Sequence, residues 1–380
     1  HPMTDDTLYL DHAATTPVRP EVRDAMEPFL ADRFGNPSSS HGPGRAARAA
    51  LETARERVAA ALGAEPDEIV FTGSGTEADN LAVLGHWRAR GGGVAVSAIE
   101  HSAVRRAAAS AAREGAPVAT LAVDEAGRLD LDALTETLQG DTRLVSVMAA
   151  NNEVGTIQPV AEIAAWCREH GATFHTDAVQ AVGHVPVSVA GIGCDLLAVS
   201  AHKFGGPKGV GALYVRRGTE LAPLLHGGGQ ERGLRAGTSN VAGAVGLATA
   251  LDAAVAEQAA EARRLRALRD RLESALTGSV EGLVVNGTGA ERLPHVLSVA
   301  IPDLDSDVLL ASMDLAGLAV SSGSACHSGA SAPSHVLLAM GVEADAVLRF
   351  SLGWPTTEAE IDRAIAVFRE VAERARGVQA

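Results

Sequence analysis

The chain has almost no lysine. Of its 32 basic residues only Lys203 and Lys208 are lysine, and both lie in the glycine-rich segment SAHKFGGPKGVGALY, residues 200–214. A surface charge can equally well be an arginine, whereas an amine that must lose its proton cannot, because the guanidinium stays charged at any ordinary pH. The two lysines are therefore either chance survivors in an arginine-rich chain, or one of them forms an imine with a carbonyl compound.

Cysteine and long apolar runs are scarce as well. The three cysteines, Cys167, Cys194 and Cys326, are widely separated and odd in number, which excludes a disulfide framework and paired metal-ligand spacing. No apolar run is long enough to span a bilayer, and the first residues do not form a secretory signal. The net charge of −15 argues against binding to nucleic acid. These absences predict a cytoplasmic protein that binds neither membrane nor nucleic acid.

Motifs for two other kinds of site are missing. The 13 histidines are scattered without metal-ligand spacing, so we predict no metal, and no G-x-S-x-G elbow of a serine hydrolase occurs. What is present is a globular composition, with 46% hydrophobic and 21% charged residues, and a length that favours two domains.

Short apolar runs alternate with longer helical stretches, which predicts an α/β fold with a mostly parallel sheet. The strand candidates are 68–72, 94–98, 117–123, 144–150, 172–176, 196–200 and 211–215. An arginine- and alanine-rich helix is predicted at 251–276 and is a plausible connector. The remainder, with four further short apolar runs and two helices, indicates a smaller α/β domain.

Polar residues follow several of these strands, where an open α/β sheet binds ligands. FTGSGTEADN, residues 71–80, is a strand, a turn and a helix start, which suits a phosphate or is an ordinary capped turn. Asp177 follows the strand at 172–176, with Gln180 three residues on. A buried carboxylate there needs a cation such as a protonated pyridine nitrogen, unless it caps a helix.

Three more strand ends carry His101, Asn152 and Lys203. Taken alone, His101 could be a structural histidine, Asn152 could be part of an ordinary loop, and Lys203 could be a surface charge. Together with the phosphate turn and Asp177 they describe a pyridoxal phosphate site, because that cofactor uses an imine lysine, a flat partner for its ring and an acid at its ring nitrogen.

The sequence closely resembles the cysteine desulfurases, fold-type I pyridoxal phosphate enzymes, nearly from end to end. The motifs that carry the resemblance are YLDHAATTPV, FGNPSSSH, FTGSGTEADN, EHSAV, NNEVGTIQPV, FHTDAVQAVG, SAHKFGGPKGVGALYV, GGGQERGLRAGTSN, SSGSACHSG, PSHVLLAMG and LRFSLG. The SSGSAC form is similar to the group with a long cysteine loop. The resemblance implies an aspartate aminotransferase-like large domain at 18–255 and a small domain, built from 1–17 and 256–380, that carries this loop.

The resemblance also implies a role for each site residue. Lys203 would be the Schiff-base lysine, His101 would stack on the pyridine ring, Asp177 would pair with its nitrogen and Gln180 would bond its phenolic oxygen. The phosphate would be held by Gly75, Thr76, Ser200, His202 and, from the other subunit of a homodimer, Thr238. Asn152 and Arg349 would bind the carboxylate of L-cysteine.

Cys326 decides the reaction class. In this reading Lys203 removes the α-proton of the substrate, and Cys326 takes up its sulfur as a persulfide while alanine is left. The segment around Cys326, SSGSACHSGASAP, is too polar for a core, whereas Cys167 and Cys194 lie in or beside apolar elements and are predicted to be small buried hydrophobes. The sequence departs from the family pattern at His12 and His327, outside this set.

Two alternatives remain open at this stage. Another fold-type I enzyme could act on selenocysteine or cysteine sulfinate, and a chain that kept the fold without catalysis would bind no cofactor. The protein that accepts the persulfide, for iron–sulfur cluster assembly or for a thiolation pathway, is not identified by the sequence.

Overall fold

The computed structural model describes residues 7–137, 141–323, 334–344 and 346–377. Within them the strands are β1 (Leu8–Tyr9), β2 (Ile69–Thr72), β3 (Gly93–Ser97), β4 (Val118–Leu121), β5 (Thr142–Ser146), β6 (Thr173–Asp177), β7 (Leu196–Ser200), β8 (Gly211–Val215), β9 (Val284–Val285), β10 (Val296–Ile301), β11 (Leu318–Ala319) and β12 (Ala346–Ser351). The helices are α1 (Pro20–Met26), α2 (Gly42–Leu62), α3 (Gly75–Asn80), α4 (His86–Arg90), α5 (Ser102–Arg113), α6 (Leu131–Thr137), α7 (Val160–Glu169), α8 (Val189–Ile192), α9 (Val241–Thr277), α10 (Ser306–Leu315), α11 (His335–Ala339) and α12 (Glu358–Gly377).

A seven-stranded sheet in the order β2-β8-β7-β6-β5-β3-β4 forms the centre of the larger part. The neighbours from β7 to β4 run parallel, and β8 is antiparallel to both β7 and β2. The predicted α/β fold with a mostly parallel sheet is therefore confirmed. The strand predicted at 144–150 extends too far at its carboxyl end, because β5 loses β3 as a neighbour after Ser146. Beyond that point Val147 and Ala149 still hydrogen-bond to β6.

Both faces of this sheet are covered by helices, which explains why its strands read as continuous apolar runs. On β5, Val145 belongs to one buried cluster, with Phe174 of β6 and Ile163 of α7. Its neighbour Leu144 belongs to a second cluster, with Val104 of α5. Successive side chains of a strand point to opposite faces, so two cores need two apolar residues in a row.

A separate core, distinct from the two on the faces of the large sheet, surrounds the antiparallel sheet β12-β10-β9. It includes β1, α10, α12 and the end of α9. The helix α9 begins ten residues before the predicted start at 251, because Asn240 caps it by accepting the backbone N–H of Gly243 at 2.9 Å. Its first half packs in the larger core and its second half in this one. Three helices, not the predicted two, follow α9 in the described residues, the extra one being the short α11. The division at residues 17 and 255 stays a prediction.

The amino-terminal segment runs between the two cores. β1 pairs in parallel with β11, and the backbone N–H of His12 then donates to the carbonyl of Ser351. A few residues later Thr16 hydrogen-bonds the carbonyl of His202 beside the large sheet. No helix in the described part of the chain is long and apolar enough to cross a membrane.

Candidate active site

A cavity of about 1190 Å³ opens at the carboxyl ends of the central parallel strands. Ten of the twelve predicted site residues line it: Gly75, Thr76, His101, Asn152, Asp177, Gln180, Ser200, His202, Lys203 and Arg349. Thr238 is exposed and does not line the cavity of its own chain, and Cys326 lies outside the described residues. The strand ends singled out in the sequence thus converge on one site, as expected for an open parallel sheet.

Lys203 lies in the cavity and Lys208 does not. Lys203 ends a tight turn after β7, and its Nζ donates to the carbonyl oxygens of Ala13 at 2.5 Å and Ala14 at 2.8 Å. The side-chain amide of Gln180 donates to the same Ala13 oxygen at 2.9 Å. Lys208 is exposed on the following loop. Both of these acceptors are neutral backbone oxygens, so rotation of the amine towards a carbonyl ligand leaves no charged acceptor behind at Ala13 or Ala14.

Asp177 supplies a buried carboxylate that faces the cavity. It ends β6, is only 5% exposed, and its Oδ1 accepts the backbone N–H of Val179 at 2.9 Å. Burial raises the pKa of Asp177, since desolvation disfavours the charged form. A cation placed against it would reverse that effect, and a protonated pyridine nitrogen is a cation of the right size.

His101 presents a neutral imidazole to the same space. It caps α5, and its Nδ1 accepts the backbone N–H of Ala103 at 3.1 Å, so the ring proton is on Nε2. Burial lowers the pKa of His101, which keeps the ring uncharged near neutral pH. A neutral flat ring fixed by its backbone contact suits stacking on a cofactor ring.

The phosphate end of the predicted site is a narrow cradle. Ser74 caps α3 by accepting the N–H of Glu77 at 3.0 Å, which leaves Gly75 and Thr76 on the cavity wall. A Cβ on Gly75 would lie 2.8 Å from Val179 Cγ2, so only glycine fits there. Across the cradle, burial lowers the pKa of His202 to about 4.

Arg349 is the cation of the opposite wall. It lies on β12, is 2% exposed, and donates from Nη1 to the carbonyl of Asn152 at 2.8 Å and from Nη2 to Asp11 Oδ1 at 2.7 Å. Its Nε has no acceptor among the described residues. A buried guanidinium whose Nε–H has no acceptor is suited to bind a carboxylate.

Several charged residues of the site were not predicted. Asp11 pairs with Arg349 across the two parts of the chain, and Asp79 on α3 lines the cavity. Glu153 also lines it and accepts the hydroxyl of Ser334 at 2.5 Å. The sequence did hold a signal for two of them, since Asp79 is in the FTGSGTEADN motif and Glu153 follows Asn152, but spacing alone does not show which motif residues point inwards.

Donor atoms of Asp79, His101 and Asp177 lie within 4.8 Å of one another, a spacing that a metal ion could also use. The prediction that no metal is bound stays a prediction. The whole wall, however, fits pyridoxal phosphate better: it offers an amine for the aldehyde, an acid for the ring nitrogen, a ring for stacking and a glycine cradle for the phosphate.

The other two cysteines are buried away from this chemistry. Cys167 is 1% exposed, Cys194 is fully buried, and burial raises the pKa of each thiol to about 12. Because the thiolate is the reactive form, both are inert near neutral pH. This agrees with the prediction that they are small buried hydrophobes.

Comparisons with known proteins place the chain among similar sequences and structures. The family described as Aminotransferase class-V matches residues 8–364. Cysteine desulfurase IscS of Dictyoglomus turgidum is 45% identical over 377 residues, which cover 98% of this chain and 96% of that protein. A solved structure described as a NifS-like protein is 38% identical with a TM-score of 0.91 and covers 97% of this chain and all of the other. The structure of SspA in complex with cysteine is 35% identical with a TM-score of 0.80, covering 91% and 99%.

Proposed function

The chain belongs to the class-V aminotransferase family and is a cysteine desulfurase of fold-type I that depends on pyridoxal phosphate, and on that premise we propose that it converts L-cysteine to L-alanine with Cys326 as the sulfur acceptor. The observation that supports this most is the convergence of Lys203, Asp177 and Arg349 on one cavity. A related protein, SspA, was solved in complex with cysteine.

When bound, pyridoxal phosphate supplies an electrophilic carbonyl for amines and a ring that accepts electron density from the substrate α-carbon. Asp177 would hold the proton on the ring nitrogen, and His101 would stack on the ring. Lys203 Nζ, released from the carbonyls of Ala13 and Ala14, removes the α-proton of the substrate. Gly75, Thr76, Ser200 and His202 line the cavity and would hold the phosphate, and Gln180 would bond the phenolic oxygen.

Arg349 and Asn152 orient the substrate. Arg349 lines the cavity, and a carboxylate that reaches its Nε replaces no existing hydrogen bond of that atom. The Asn152 carbonyl already fixes the guanidinium through Nη1. A substrate anchored at this wall would have its amino group in the cavity that Lys203 also lines.

The sulfur leaves the substrate by transfer to a thiolate. The thiolate of Cys326 attacks the substrate sulfur, an S–S bond forms, and the C–S bond breaks. The electron pair of that bond stays on the β-carbon, which takes up a proton and becomes the methyl group of alanine. The persulfide then passes to the thiol of an acceptor protein, and we expect this to happen in a reducing cytoplasm.

Substrate comparison tests the assignment of L-cysteine. With reductant present, the protein should form alanine and sulfide in equal amounts from L-cysteine, and react about tenfold or more slowly with cysteine sulfinate, because an anionic, oxygen-bearing sulfur resists attack by a thiolate. The measurement is alanine release at matched substrate concentrations. Faster turnover of cysteine sulfinate or selenocysteine would assign the site to that substrate instead.

We further propose that two copies of the chain share their active sites. Thr238 is exposed in a glycine-rich loop and reaches no part of its own cavity. Large apolar side chains are also exposed, with Phe34 at 79% and Leu30 at 68%. Exposed apolar groups of this size favour a protein interface, and across a homodimer Thr238 would complete the phosphate cradle of the partner.

Mixed dimers test this sharing. Thr238→Asp should lose cofactor and activity, because its carboxylate repels the phosphate. A heterodimer of the Thr238→Asp and Lys203→Ala chains should regain about half of the parent activity, since one of its two sites then has both native residues. Activity is measured on the purified, differently tagged heterodimer. No recovery, or an active monomer that retains cofactor, would contradict shared sites.

A further inference from the structure

Two buried polar atoms face each other behind the ring-binding part of the cavity. Asp79 on α3 is 2% exposed, and His175 on β6 is fully buried. Asp79 Oδ1 and His175 Nε2 are 3.6 Å apart, and neither has a hydrogen-bond partner among the described residues. The other nitrogen of the imidazole, Nδ1, is 2.8 Å from the hydroxyl of Ser146 on β5. Unpaired buried polar atoms are costly, so this pair calls for a proton between them.

The surroundings leave little room for another negative charge. One carboxylate oxygen of Asp79, one of Asp177 and one imidazole nitrogen of His101 lie within 4.8 Å of one another. The fully buried Glu100 accepts from Ser97 at 2.5 Å and from the N–H of Met148 at 2.7 Å. Neighbouring carboxyls in a buried site cannot all ionise cheaply, because like charges and desolvation both favour the neutral form.

The remaining groups around this cluster do not offset such a charge. Among the described residues, Lys203 is the lysine or arginine whose charge acts on Asp177, and it lines the cavity into which the substrate binds. His86 on α4 approaches His175 from behind and hydrogen-bonds Thr173, and burial lowers its pKa to about 4, so it is neutral. The protonated ring nitrogen of the cofactor would pair with Asp177 and so would not offset a second negative charge on Asp79.

We propose that Asp79 holds a proton and donates it to His175 Nε2, while the Nδ1–H of His175 donates to Ser146, and that this neutral chain leaves Asp177 as the one anion beneath the cofactor ring. Asp79 and His175 are then positioning residues that set the charge at the ring nitrogen without touching the substrate. The inference rests on the proposed role of Asp177. The gap of 3.6 Å is longer than a hydrogen bond and closes with a side-chain shift of about 0.6 Å.

The titration of both groups agrees with this arrangement. Burial, reinforced by Asp177 and Glu100, raises the pKa of Asp79 well above its ordinary value. Burial lowers the pKa of His175 to about 3, so the imidazole does not take up a second proton. The third carboxyl of the cluster is Glu100. Burial raises its pKa to about 8, so it is mostly neutral at pH 7, as Asp79 is.

The first test reads the imidazole directly. In ¹⁵N NMR spectra of the histidine-labelled holoenzyme, His175 should be neutral with its proton on Nδ1 and an acceptor-type shift at Nε2. Ser146→Ala, farther from the cavity, should shift the Nδ1 signal and leave Nε2 unchanged. A wild-type imidazole with its proton on Nε2, which makes Asp79 an anion, overturns the proposal whatever the catalytic activity.

The second test uses a neutral replacement. Asp79→Asn keeps a donor towards His175, so the pH midpoint of the visible absorbance of the bound cofactor should move by less than about 0.3 unit. Glu100→Gln, a matched neutral replacement that does not face His175, should behave alike. A midpoint shift of one unit or more in Asp79→Asn, tenfold in proton affinity, would mean that an anion had been removed.

Asp177→Asn separates this proposal from the role of Asp177. If Asp177 pairs with the ring nitrogen, this variant loses cofactor affinity and moves the absorbance midpoint, while the His175 signals keep their pattern. An unchanged midpoint in Asp177→Asn would refute that role and leave the tautomer of His175 to be decided by the NMR spectrum alone.

Discussion

Lys203→Ala, purified and reconstituted with pyridoxal phosphate, should lack the visible absorbance of the lysine-bound cofactor and form alanine about 10³-fold or more slowly than the parent. The amine serves twice, as the group that combines with the cofactor and as the base at the α-carbon, and loss of a positioned base alone costs about 10²–10⁴-fold. The measurements are the absorbance spectrum and alanine release from L-cysteine. Folding is checked by circular dichroism.

Lys208→Ala is the matched control, because it removes the other lysine of the chain from an exposed loop outside the cavity. It should keep both colour and activity. Lys203→Arg separates the need for a reactive amine from the need for a positive charge, since the guanidinium keeps the charge but does not release its proton. Loss of the absorbance in Lys208→Ala, with Lys203→Ala still coloured, would reverse the assignment.

Cys326→Ser should bind cofactor and L-cysteine like the parent but stop before alanine. Serine has nearly the shape of cysteine, yet its hydroxyl hardly ionises near neutral pH and is a poor nucleophile towards sulfur. Steps that need only Lys203 and the cofactor should therefore proceed, with spectral changes on adding L-cysteine. We expect alanine formation to fall by about 10²-fold or more, and the intact mass to show no added sulfur.

Cys167→Ala and Cys194→Ala are the controls for this change. Both thiols are buried and keep their protons, so these variants should retain turnover and lose at most some stability. Mass spectrometry of each after reaction with L-cysteine should still show one added sulfur. If Cys326→Ser forms alanine at the parent rate, the nucleophile is elsewhere and the transfer step proposed for Cys326 is wrong.

The sequence predicted the inner site well because parallel strands bring their carboxyl ends to one edge. Once 172–176 and 196–200 are recognised as strands of a parallel sheet, Asp177 and Lys203 are expected at the same edge of it, and they lie close because the two strands are neighbours. The same reasoning gathered His101 and Asn152, and the pattern of residue types then indicated the cofactor. These predictions depend on apolar strand runs that are followed by polar residues, and on the rule that ligands bind at the carboxyl ends of parallel strands.

Long-range partners could not be obtained in this way. Asp11 and Arg349 are 338 residues apart and meet because a terminal segment lies beside β12. Asp79 lies in a recognised motif, yet its approach to His175 depends on how α3 packs on the sheet, against β7 and β8. The early start of α9 was missed since its apolar first half is buried all round and shows no amphipathic stripe.

The path of the amino-terminal segment has a consequence for synthesis on the ribosome. Leu8 emerges about 310 residues before its partner Leu318, and the backbone N–H of Ala13 donates to the hydroxyl of Ser351, 338 residues away. The large sheet can form earlier, because its strands end at Val215. A nascent chain therefore carries Lys203 beside a folded sheet while the segment that supplies its carbonyl contacts still lacks its partners in β11 and β12. The site is therefore complete only after residues up to Ser351 have been translated.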